Sequence, residues 1–381
     1  MKVLVLHCRY QNPGGEETVV QNEAIALSEI GHTVVLHELQ NSSIRTPIDK
    51  ILAAISAPFN LVQLIKLIAL LKKEQPDVVH IHNYFPLLSP SVIYACKLLK
   101  IRQVVTLHNY RIICPTTTLF HKGQLYKEGV QGHYATTLKD RVYNDSYTGT
   151  AVVILMILLH RILRTWQIPD ALIVMSNFQK NILSQRIKGN YIVLPHFTAV
   201  PDMLNELKKR DENGSYFVFV GRLSAEKGIL ELIDIWPESQ QLRVIGDGPL
   251  LHDAKQLCRK KPNISITGRL PKHECLAQIK EAQATIFPSL THETFGLVLI
   301  ESFSVGTPVI VNNLPPAIEL LTPDVGYTFD FSSPESLNEA IKKIKLNRSS
   351  MSDACKTHYE IHFSEKIGIE RLSEVLIPTA L

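Results

Sequence analysis

Two glutamates, Glu293 and Glu301, stand eight positions apart in the segment of the chain that is richest in candidate ligand-binding residues. Glu293 follows a short apolar run, and Glu301 lies within a second apolar stretch. Gly306 and Pro308 should terminate that second stretch. This pattern predicts a strand, then a loop that carries Glu293 near a helix N-terminus, then Glu301 further along the helix. Two carboxylates in these places could hold hydroxyl groups, although the spacing alone is also typical of a helix-start glutamate and a solvated one.

The backbone amides at the start of that predicted helix could bind an anion. N–H groups in a first helical turn have no intrahelical partner, and the helix dipole favours negative charge beside them. The residues concerned are Phe295, Gly296 and Leu297. A phosphate at these amides would leave one glutamate on either side of it, so each carboxylate could contact a group attached to that phosphate.

Two cations, Arg222 and Lys227, follow another apolar run and precede a predicted helix. Cations at a strand end suit a diphosphate leaving group, because negative charge develops on it as the bond to it breaks. The bare spacing would also fit a solvated basic pair. The interpretation therefore depends on whether other ligand-binding residues lie at the same sheet edge.

Glycines follow two further predicted strands. Gly246 and Gly248 precede Pro249 at a predicted helix start, and Gly14 and Gly15 follow the first strand. Glycine lets a backbone approach a ligand closely, although the first of these pairs also fits an ordinary tight turn. Neither loop has the G-x-G-x-x-G spacing of a dinucleotide-binding turn, which counts against a dehydrogenase.

Histidines stand at the ends of two predicted strands, at His82 and His108. An isolated histidine at a strand end more often has a structural role than a catalytic one. The residues alone do not separate His82 from His108.

Short apolar runs alternate with longer amphipathic ones along the chain, which predicts an α/β fold with mainly parallel sheets. The predicted strands of the first half are 3–7, 33–37, 78–82, 104–108, 172–175 and 192–194. Those of the second half are 217–220, 242–245, 264–267, 285–287 and 309–311. The candidate residues all follow strands, and the carboxyl ends of strands are where such sheets bind ligands.

The length of 381 residues predicts two domains rather than one. The stretch from Pro195 to Ser215 contains the polar turn Asp211–Gly214 and is typical of a linker. We therefore expect a first domain over residues 1–196 and a second over 197–381. We also expect a last helix over about residues 364–377.

Composition narrows the compartment and the partners. The net charge is only +4 and forms no basic stripe, which argues against nucleic acid but is compatible with an anionic membrane. The six cysteines are widely spaced without a C-x-x-C pair, and the start lacks a secretory signal, so we expect free thiols and a cytoplasmic location. The uncharged block Ala151–Leu159, followed by Arg161, Arg164 and Trp166, fits a buried helix or a helix in a membrane interface.

These motifs together resemble family-four glycosyltransferases, the retaining group also called glycosyl transferases group 1. The string from Glu293 to Glu301 is similar to its Glu-x7-Glu signature, and the blocks 219–228 and 244–250 match its Arg-Lys and Gly-x-Gly segments. The resemblance covers essentially the whole chain. The segments 14–17, 82–91 and 107–111 resemble the subset used in bacterial surface polysaccharide synthesis.

The resemblance implies the GT-B fold, in which two facing, doubly wound, Rossmann-like domains enclose a cleft. It implies that Glu293 contacts the donor sugar and Glu301 the ribose, while Arg222 and Lys227 stabilise the departing diphosphate. It also implies that His108 meets the donor sugar and that the last helix crosses back to the first domain. Further nucleotide or donor contacts are implied for Gly14, Gly15, Gly246, Gly248, Arg269, Phe295, Gly296 and Leu297.

Three departures from the family pattern affect a loop insert, the hinge and a donor-side loop. Residues 125–130 lack the clustered cysteines of many relatives, Leu194–Phe197 lacks their Pro-Asn pair, and Pro315–Pro316 replaces a Gly-rich turn. No D-x-D element for a metal–diphosphate complex is present in the sequence. The resemblance accordingly implies no metal and no cofactor beyond the donor.

The sequence thus predicts a retaining glycosyltransferase that uses a UDP- or GDP-sugar and a saccharide or lipid-linked saccharide acceptor. Surface polysaccharide or lipopolysaccharide synthesis is the expected setting, with possible attachment to the inner face of the membrane. A sugar-nucleotide epimerase or a glycan phosphorylase of the same fold is an alternative. A non-catalytic glycan-binding partner is another.

Overall fold

The computed structural model describes residues 1–11, 14–199 and 216–377 and divides the chain into two compact units. The first unit comprises residues 1–121, 126–196 and those from 368 onward, and the second comprises 122–125 and 197–367. The predicted turn Asp211–Gly214 and most of the predicted linker lie outside the described residues.

The first unit is built on a six-stranded sheet in the order β2-β1-β3-β4-β7-β8, in which every neighbouring pair is parallel. Its strands are β1 (Lys2–Arg9), β2 (Thr33–Gln40), β3 (Val78–Ile81), β4 (Arg102–Thr106), β7 (Ala171–Val174) and β8 (Tyr191–Val193). The central strands are buried runs of Val, Ile and Leu, as expected for a parallel sheet covered on both faces. Two short strands, β5 (Phe120–His121) and β6 (Gln124–Leu125), lie outside this sheet.

Helices connect the strands of the first unit. They are α1 (Gly15–Glu29), α2 (Pro47–Ser56), α3 (Leu61–Glu74), α4 (Val92–Leu99), α5 (Glu128–Gln131), α6 (Tyr134–Lys139), α7 (Tyr147–Ile162) and α8 (Asn177–Ser184). Several begin at a side-chain cap that the sequence supplies. The Ser146 hydroxyl accepts from the Gly149 amide at 3.1 Å at the start of α7, and the Asn60 side chain does the same for Gln63 at 3.0 Å in α3.

The second unit repeats the plan with a six-stranded parallel sheet in the order β11-β10-β9-β12-β13-β14. Its strands are β9 (Tyr216–Val220), β10 (Gln241–Ile245), β11 (Ile264–Gly268), β12 (Thr285–Phe287), β13 (Val309–Asn312) and β14 (Gly326–Phe329). Its helices are α9 (Ile229–Ile235), α10 (Leu251–Cys258), α11 (Lys272–Glu281), α12 (Leu297–Ser304), α13 (Pro315–Ile318) and α14 (Pro334–His362). The last helix, α15 (Glu365–Leu376), ends in the first unit, where the Arg102 side chain donates to the carbonyls of Val375 and Leu376.

All the predicted strands are present, with ends that differ by no more than three residues. One correction affects a candidate residue, because β4 ends at Thr106 and His108 therefore lies in the following loop. The sequence analysis also missed β14, whose four residues begin with a glycine that packs against the Val309 carbonyl. The α/β fold class with two parallel sheets is confirmed.

The apolar block of the sequence analysis forms the middle of α7, which has both a buried and an exposed face. Val153 and Ile157 are buried, whereas Leu155 and Ile162 are exposed. Within the described part of the chain, no single helix is long and apolar enough to cross a membrane. Helices α2 and α3 meet the same criterion only together, as a pair bent by 74°.

Candidate functional site

The sheet of the second unit has one topological switch point, which lies between β9 and β12. From β9 the chain adds β10 and β11 on one side and then returns to add β12 on the other. The loops that follow β9 and β12 therefore diverge at the carboxyl edge, and such a divergence leaves a crevice for a ligand. Arg222 and Lys227 lie on the first of these loops, and Glu293 lies on the second.

Lys227 and Glu293 meet at this switch point. Lys227 Nζ donates to Glu293 Oε2 at 2.7 Å, and the two side chains remain 28% and 17% exposed. The other carboxylate oxygen, Glu293 Oε1, is buried and has no hydrogen-bond partner among the described residues. A ligand hydroxyl group could use that acceptor.

Backbone contacts hold the two loops together. The Glu226 carbonyl accepts from the Leu290 amide at 2.9 Å and from the Ser289 hydroxyl at 3.1 Å. Gly228 has a left-handed conformation, with φ of +66°, and a Cβ there would collide with the Pro288 carbonyl. This close approach requires glycine, and it keeps Lys227 beside the loop that carries Glu293.

The Gly-x-Gly turn after β10 packs against the loop after β9. A Cβ on Gly246, whose φ is +147°, would collide with the Gly221 carbonyl, and one on Gly248 would lie 2.7 Å from the Leu223 amide nitrogen. The Leu223 amide also donates to the Asp247 carbonyl at 2.9 Å. Glycine is therefore needed at these two positions because the backbone of this turn packs directly on the backbone of the loop after β9. The sequence pattern predicted a tight turn here but not this packing.

Two arginines flank this glycine turn on the neighbouring loops. Arg222 follows β9 and Arg269 follows β11, and both side chains are exposed. Neither makes a side-chain hydrogen bond or an ion pair with the residues that the structure describes. Both guanidinium groups are thus available to an anion at the edge of the sheet.

Helix α12 positions Glu301 in its second turn, while Glu293 remains in the loop before it. Burial raises the pKa of the Glu301 carboxyl, and Lys272, with its Nζ 3.6 Å from Oε1, opposes that rise. At the helix start, the amides of Gly296 and Leu297 have no backbone acceptor among the described residues. The Phe295 ring is buried and packs edge-on against Phe363, so this side chain belongs to the core.

The first unit has an equivalent switch point between β1 and β3. Gly14 caps α1 after β1, and its amide donates to Glu17 Oε2 at 2.7 Å, while Glu17 Oε1 accepts from the Tyr10 amide at 2.9 Å. Among the described residues, a Cβ on Gly14 would meet only Glu17 Oε2, at 3.9 Å. The backbone at Gly14 thus faces open space, unlike that at Gly246, and both Gly14 and Gly15 are exposed.

A cluster of histidines occupies the other side of this switch point. His82 Nδ1 and His108 Nε2 are 2.9 Å apart, and the His108 ring stacks between those of His82 and His196, with centroids at 5.2 and 5.3 Å. Burial lowers the pKa of His80 and His196 to about 3 and holds those of His82 and His108 well below 6.5. These rings are therefore neutral at neutral pH. His108 is partly exposed, so a neutral imidazole is presented at this edge.

Comparison with known families assigns both halves of the chain. Residues 13–197 match the family model described as Glycosyltransferase Family 4, and residues 204–360 match the model described as Glycosyl transferases group 1. The chain is a family-four glycosyltransferase. The resemblance inferred from the sequence motifs is thereby confirmed.

This family-four glycosyltransferase is similar to several named proteins. It is 27% identical to a GDP-mannose-dependent monoacylated phosphatidylinositol monomannoside mannosyltransferase of Corynebacterium glutamicum, over 41% of this chain and 45% of the relative. The chain therefore spans less than half the length of that relative. It is also 24% identical to an uncharacterised 41.2 kDa protein in the cps region of Klebsiella pneumoniae, over 94% of this chain and 99% of the relative.

Solved structures confirm the GT-B fold. Anabaena HepE in complex with UDP superposes with a TM-score of 0.67 at 15% identity, covering 99% of both chains. A likeness at this level of identity bears on the fold alone. Together with the two parallel sheets, this likeness identifies both units of the family-four glycosyltransferase as Rossmann-like.

The structure brings together many of the residues that the sequence motifs nominated. In the second unit, Arg222, Lys227, Glu293, Gly246 and Gly248 all lie at the carboxyl edge of one sheet. Gly14, Gly15 and His108 lie at the corresponding edge of the first unit.

The sequence analysis missed two contributors to these sites, Lys272 and Glu23. Lys272 begins α11 and faces Glu301, and Glu23 lies in the middle of α1 beside the histidine cluster. Each is one charged residue on a helix, which carries no local signal of its own. The only available sign was the His-x-His pattern at the end of β3, with its two histidines on the same side of an extended chain.

Proposed function

We propose that the protein transfers a sugar from a nucleoside diphosphate sugar to a saccharide or lipid-linked saccharide acceptor, with retention of the anomeric configuration. The donor would be a UDP- or GDP-sugar, and the product would enter surface polysaccharide or lipopolysaccharide synthesis. The enzyme would act in the cytoplasm, at the inner face of the membrane.

The observation that carries this proposal is the Lys227–Glu293 pair at the switch point of the second unit. A donor diphosphate needs cations where its charge develops, and the attached sugar needs acceptors for its hydroxyl groups. At the switch point a cation, Lys227, and an acceptor, Glu293, lie 2.7 Å apart. Arg222 is exposed on the loop that carries Lys227. A pair of opposite charges can exchange partners with such a ligand, Lys227 moving to the phosphate and Glu293 to the sugar.

In the proposed reaction, Arg222, Lys227 and the amides at the start of α12 stabilise the departing diphosphate. Glu301, one turn into α12, holds the ribose hydroxyl groups. The acceptor hydroxyl attacks the face of the sugar that the diphosphate leaves, and a leaving phosphate oxygen takes the proton of the acceptor. This step needs no side-chain base, and we assign none.

The names of relatives favour this donor and acceptor class. The Corynebacterium relative is named as GDP-mannose-dependent and acts on a phosphatidylinositol mannoside, and HepE was solved with UDP. A teichuronic acid biosynthesis glycosyltransferase of Bacillus subtilis is also similar, at 29% identity. Both nucleotides therefore remain candidates for this chain.

Helices α2 and α3 support the proposed contact with a membrane better than the α7 block does. Their exposed side chains are largely apolar, and Ile48, Ile55 and Ile65 are 68%, 72% and 66% exposed. Exposed lysines lie among these apolar side chains, including Lys50 on α2 and Lys66 on α3. Apolar residues beside cations are typical of helices that lie in a membrane interface. We propose that this surface, rather than α7 alone, contacts the membrane.

Donor screening tests the proposed activity. The purified protein would be mixed with UDP-, GDP- and ADP-sugars, with binding measured by calorimetry and slow donor hydrolysis by release of the nucleotide. We expect one nucleotide class to bind saturably and to be hydrolysed, and Glu293→Gln to reduce both effects. Glu274→Gln, an exposed residue on α11, is the matched control.

The products of the same assay separate the alternatives. An epimerase would return an isomerised sugar nucleotide, and a phosphorylase would release a sugar phosphate with inorganic phosphate present. A non-catalytic glycan-binding partner would hydrolyse none of the donors. Each of these results would contradict the proposed transfer reaction.

The proposed reaction needs no divalent ion at the diphosphate, because Arg222 and Lys227 supply the positive charge. Donor binding and turnover should therefore survive brief exposure to EDTA in the assay buffer. Loss of both, with recovery only on addition of Mg²⁺ or Mn²⁺, would contradict this part of the proposal.

Liposome flotation tests the membrane surface. Ile51→Ser combined with Ile55→Ser, on α2, should reduce flotation with anionic vesicles. The control Leu346→Ser changes a residue of 83% exposure on α14 and should float like the wild type. Equal flotation of all three proteins would remove α2 from the proposed surface.

A further inference from the structure

Three buried ligand atoms converge beside the first switch point without hydrogen bonds among the described residues. They are Glu23 Oε2 on α1, His80 Nδ1 in β3 and His82 Nε2 just after β3. Both histidine side chains have no exposed surface, and that of Glu23 is only 9% exposed. Buried polar atoms are normally paired, so three unpaired atoms facing one point call for a ligand.

The distances are too long for hydrogen bonds and suit a shared ion. Glu23 Oε2 lies 3.7 Å from His80 Nδ1 and 3.5 Å from His82 Nε2, and all three atoms lie within 4.8 Å of one another. Ligands bound at about 2.0–2.1 Å in a tetrahedron around zinc are separated by roughly 3.3–3.5 Å. A small inward movement of the three side chains would bring them to that geometry.

The outer nitrogens of both histidines already have partners. His80 Nε2 lies 2.8 Å from Thr106 Oγ1, and His82 Nδ1 lies 2.9 Å from His108 Nε2. When each outer nitrogen carries the proton and donates it, each inner nitrogen presents a lone pair toward Glu23. Histidines that bind metals in proteins are held in this way, by a hydrogen bond from the opposite ring nitrogen.

We propose that Glu23, His80 and His82 bind a divalent transition-metal ion of the zinc class. Two imidazole nitrogens and one carboxylate oxygen are ligands that zinc accepts, and a fourth position is left for water or another group. A single proton on Glu23 could make a hydrogen bond to only one of the two lone pairs. An ion binds all three atoms at once.

The ion would join α1 to the end of β3. Because Gly14 and Gly15 begin α1, the ion would also set the position of the loop that follows β1. The site belongs to the first unit, whereas Arg222 and Lys227 belong to the second, and the proposed reaction assigns no role to Glu23, His80 or His82. It departs from the expectation, based on sequence, that the protein holds no metal.

Metal content tests the proposal directly. The full-length protein would be dialysed against a strong chelator, checked for folding by circular dichroism, incubated with Zn²⁺ and freed of excess ion. We expect about one zinc per chain by elemental analysis, together with a rise in thermal unfolding temperature over the stripped protein. If the wild-type protein incubated with Zn²⁺ held no more zinc than the stripped protein, the proposal would be overturned.

Variants localise the ion. Glu23→Gln should weaken zinc binding by more than about 100-fold, because loss of an outer hydrogen bond alone costs 10–100-fold. Thr106→Val, which removes only the partner of His80 Nε2, should show that smaller loss. The matched control is Glu29→Gln, the same charge change at an exposed position on the same helix, and it should bind zinc like the wild type. Equal binding by Glu23→Gln and the control would refute the assignment.

Cobalt substitution keeps the proposal testable if Glu23→Gln does not fold. Wild-type protein loaded with Co²⁺ should show ligand-field absorption, and X-ray absorption should report two imidazoles and oxygen ligands around the ion. A coordination shell without imidazole would place the ion elsewhere and overturn the assignment. Donor binding, measured in parallel, reports on the second unit, so failure of one proposal is distinguishable from failure of the other.

Discussion

Lys227 Nζ lies 2.7 Å from Glu293 Oε2, although 66 positions separate the two residues in the chain. The parallel sheet causes this contact, because β9 and β12 are neighbours and their loops leave at the same edge. A partly exposed ion pair of this kind contributes only about 0–1 kcal/mol to stability. The pair is therefore better explained by what it can bind than by what it adds to the fold.

Replacement of Lys227 should reduce turnover far more than stability. We expect Lys227→Met to lower kcat by roughly 10²–10³-fold, because in the proposed reaction the cation acts on charge that develops as the diphosphate leaves. The free energy of unfolding should fall by no more than about 1 kcal/mol. Steady-state kinetics and calorimetry measure the two effects, and Lys255→Met, on the exposed face of α10, is the control. Aggregation of Lys227→Met alone would instead indicate a structural ion pair.

Glu301 should affect donor binding more than chemistry. If its carboxylate holds the ribose hydroxyl groups, those contacts are equal in the ground state and the transition state. Glu301→Gln should then raise KM for the donor about tenfold with little change in kcat, since a hydrogen bond to a charged group is worth about 1.5–3 kcal/mol. Donor titrations of this variant and of Glu274→Gln provide the comparison. An unchanged KM would assign Glu301 only its pairing with Lys272.

Two glycine substitutions should separate packing from ligand approach. Gly246→Ala places a Cβ against the Gly221 carbonyl at a φ of +147°, so we expect a loss of at least about 2 kcal/mol in unfolding free energy. Gly14→Ala meets open space, so its stability should change by no more than about 1 kcal/mol. Its turnover should still fall roughly 10- to 100-fold if a ligand approaches that backbone.

Chemical denaturation measures the unfolding free energy of each glycine variant, and steady-state kinetics measures the turnover of each. A Gly14→Ala enzyme with normal turnover would exclude close approach of a substrate at Gly14. A stable Gly246→Ala protein would contradict the packing described for the turn after β10.

Buried His160 should make the fold sensitive to acid. Its Nδ1 lies 2.8 Å from Thr165 Oγ1 and its Nε2 2.7 Å from the Pro58 carbonyl, and burial lowers its pKa from 6.5 to about 4. Between these pH values the unfolded chain binds the proton more readily than the folded chain. The stabilisation is therefore present above pH 6.5 and is lost as the pH falls toward 4.

The expected contribution of His160 is about 3 kcal/mol. At neutral pH, His160→Gln should be less stable than the wild type, and the difference should shrink by about that amount as the pH is lowered toward 4. Urea unfolding of both proteins across this range measures it, and taking the difference removes the effects of the other histidines. A difference that does not vary with pH would contradict the low pKa.

The sequence alone determined the fold class, the family and every strand of the two large sheets except β14. Buried parallel strands must be continuous apolar runs, and the residues that follow them are local in sequence, so Arg222, Lys227, Glu293 and the glycine pairs could be placed at strand ends without coordinates. The short strand β14 was missed because four residues starting with glycine carry little periodic signal.

Only the tertiary structure decided which of these residues meet. Strand order, which no local pattern encodes, made β9 and β12 neighbours and so paired Lys227 with Glu293. The packing of α1 on the sheet brought Glu23 to His80 and His82, and the exposure of α2 and α3 became visible only once the core was assembled. Side chains distant in sequence interact through chain topology and packing, and those are properties of the whole fold rather than of any segment.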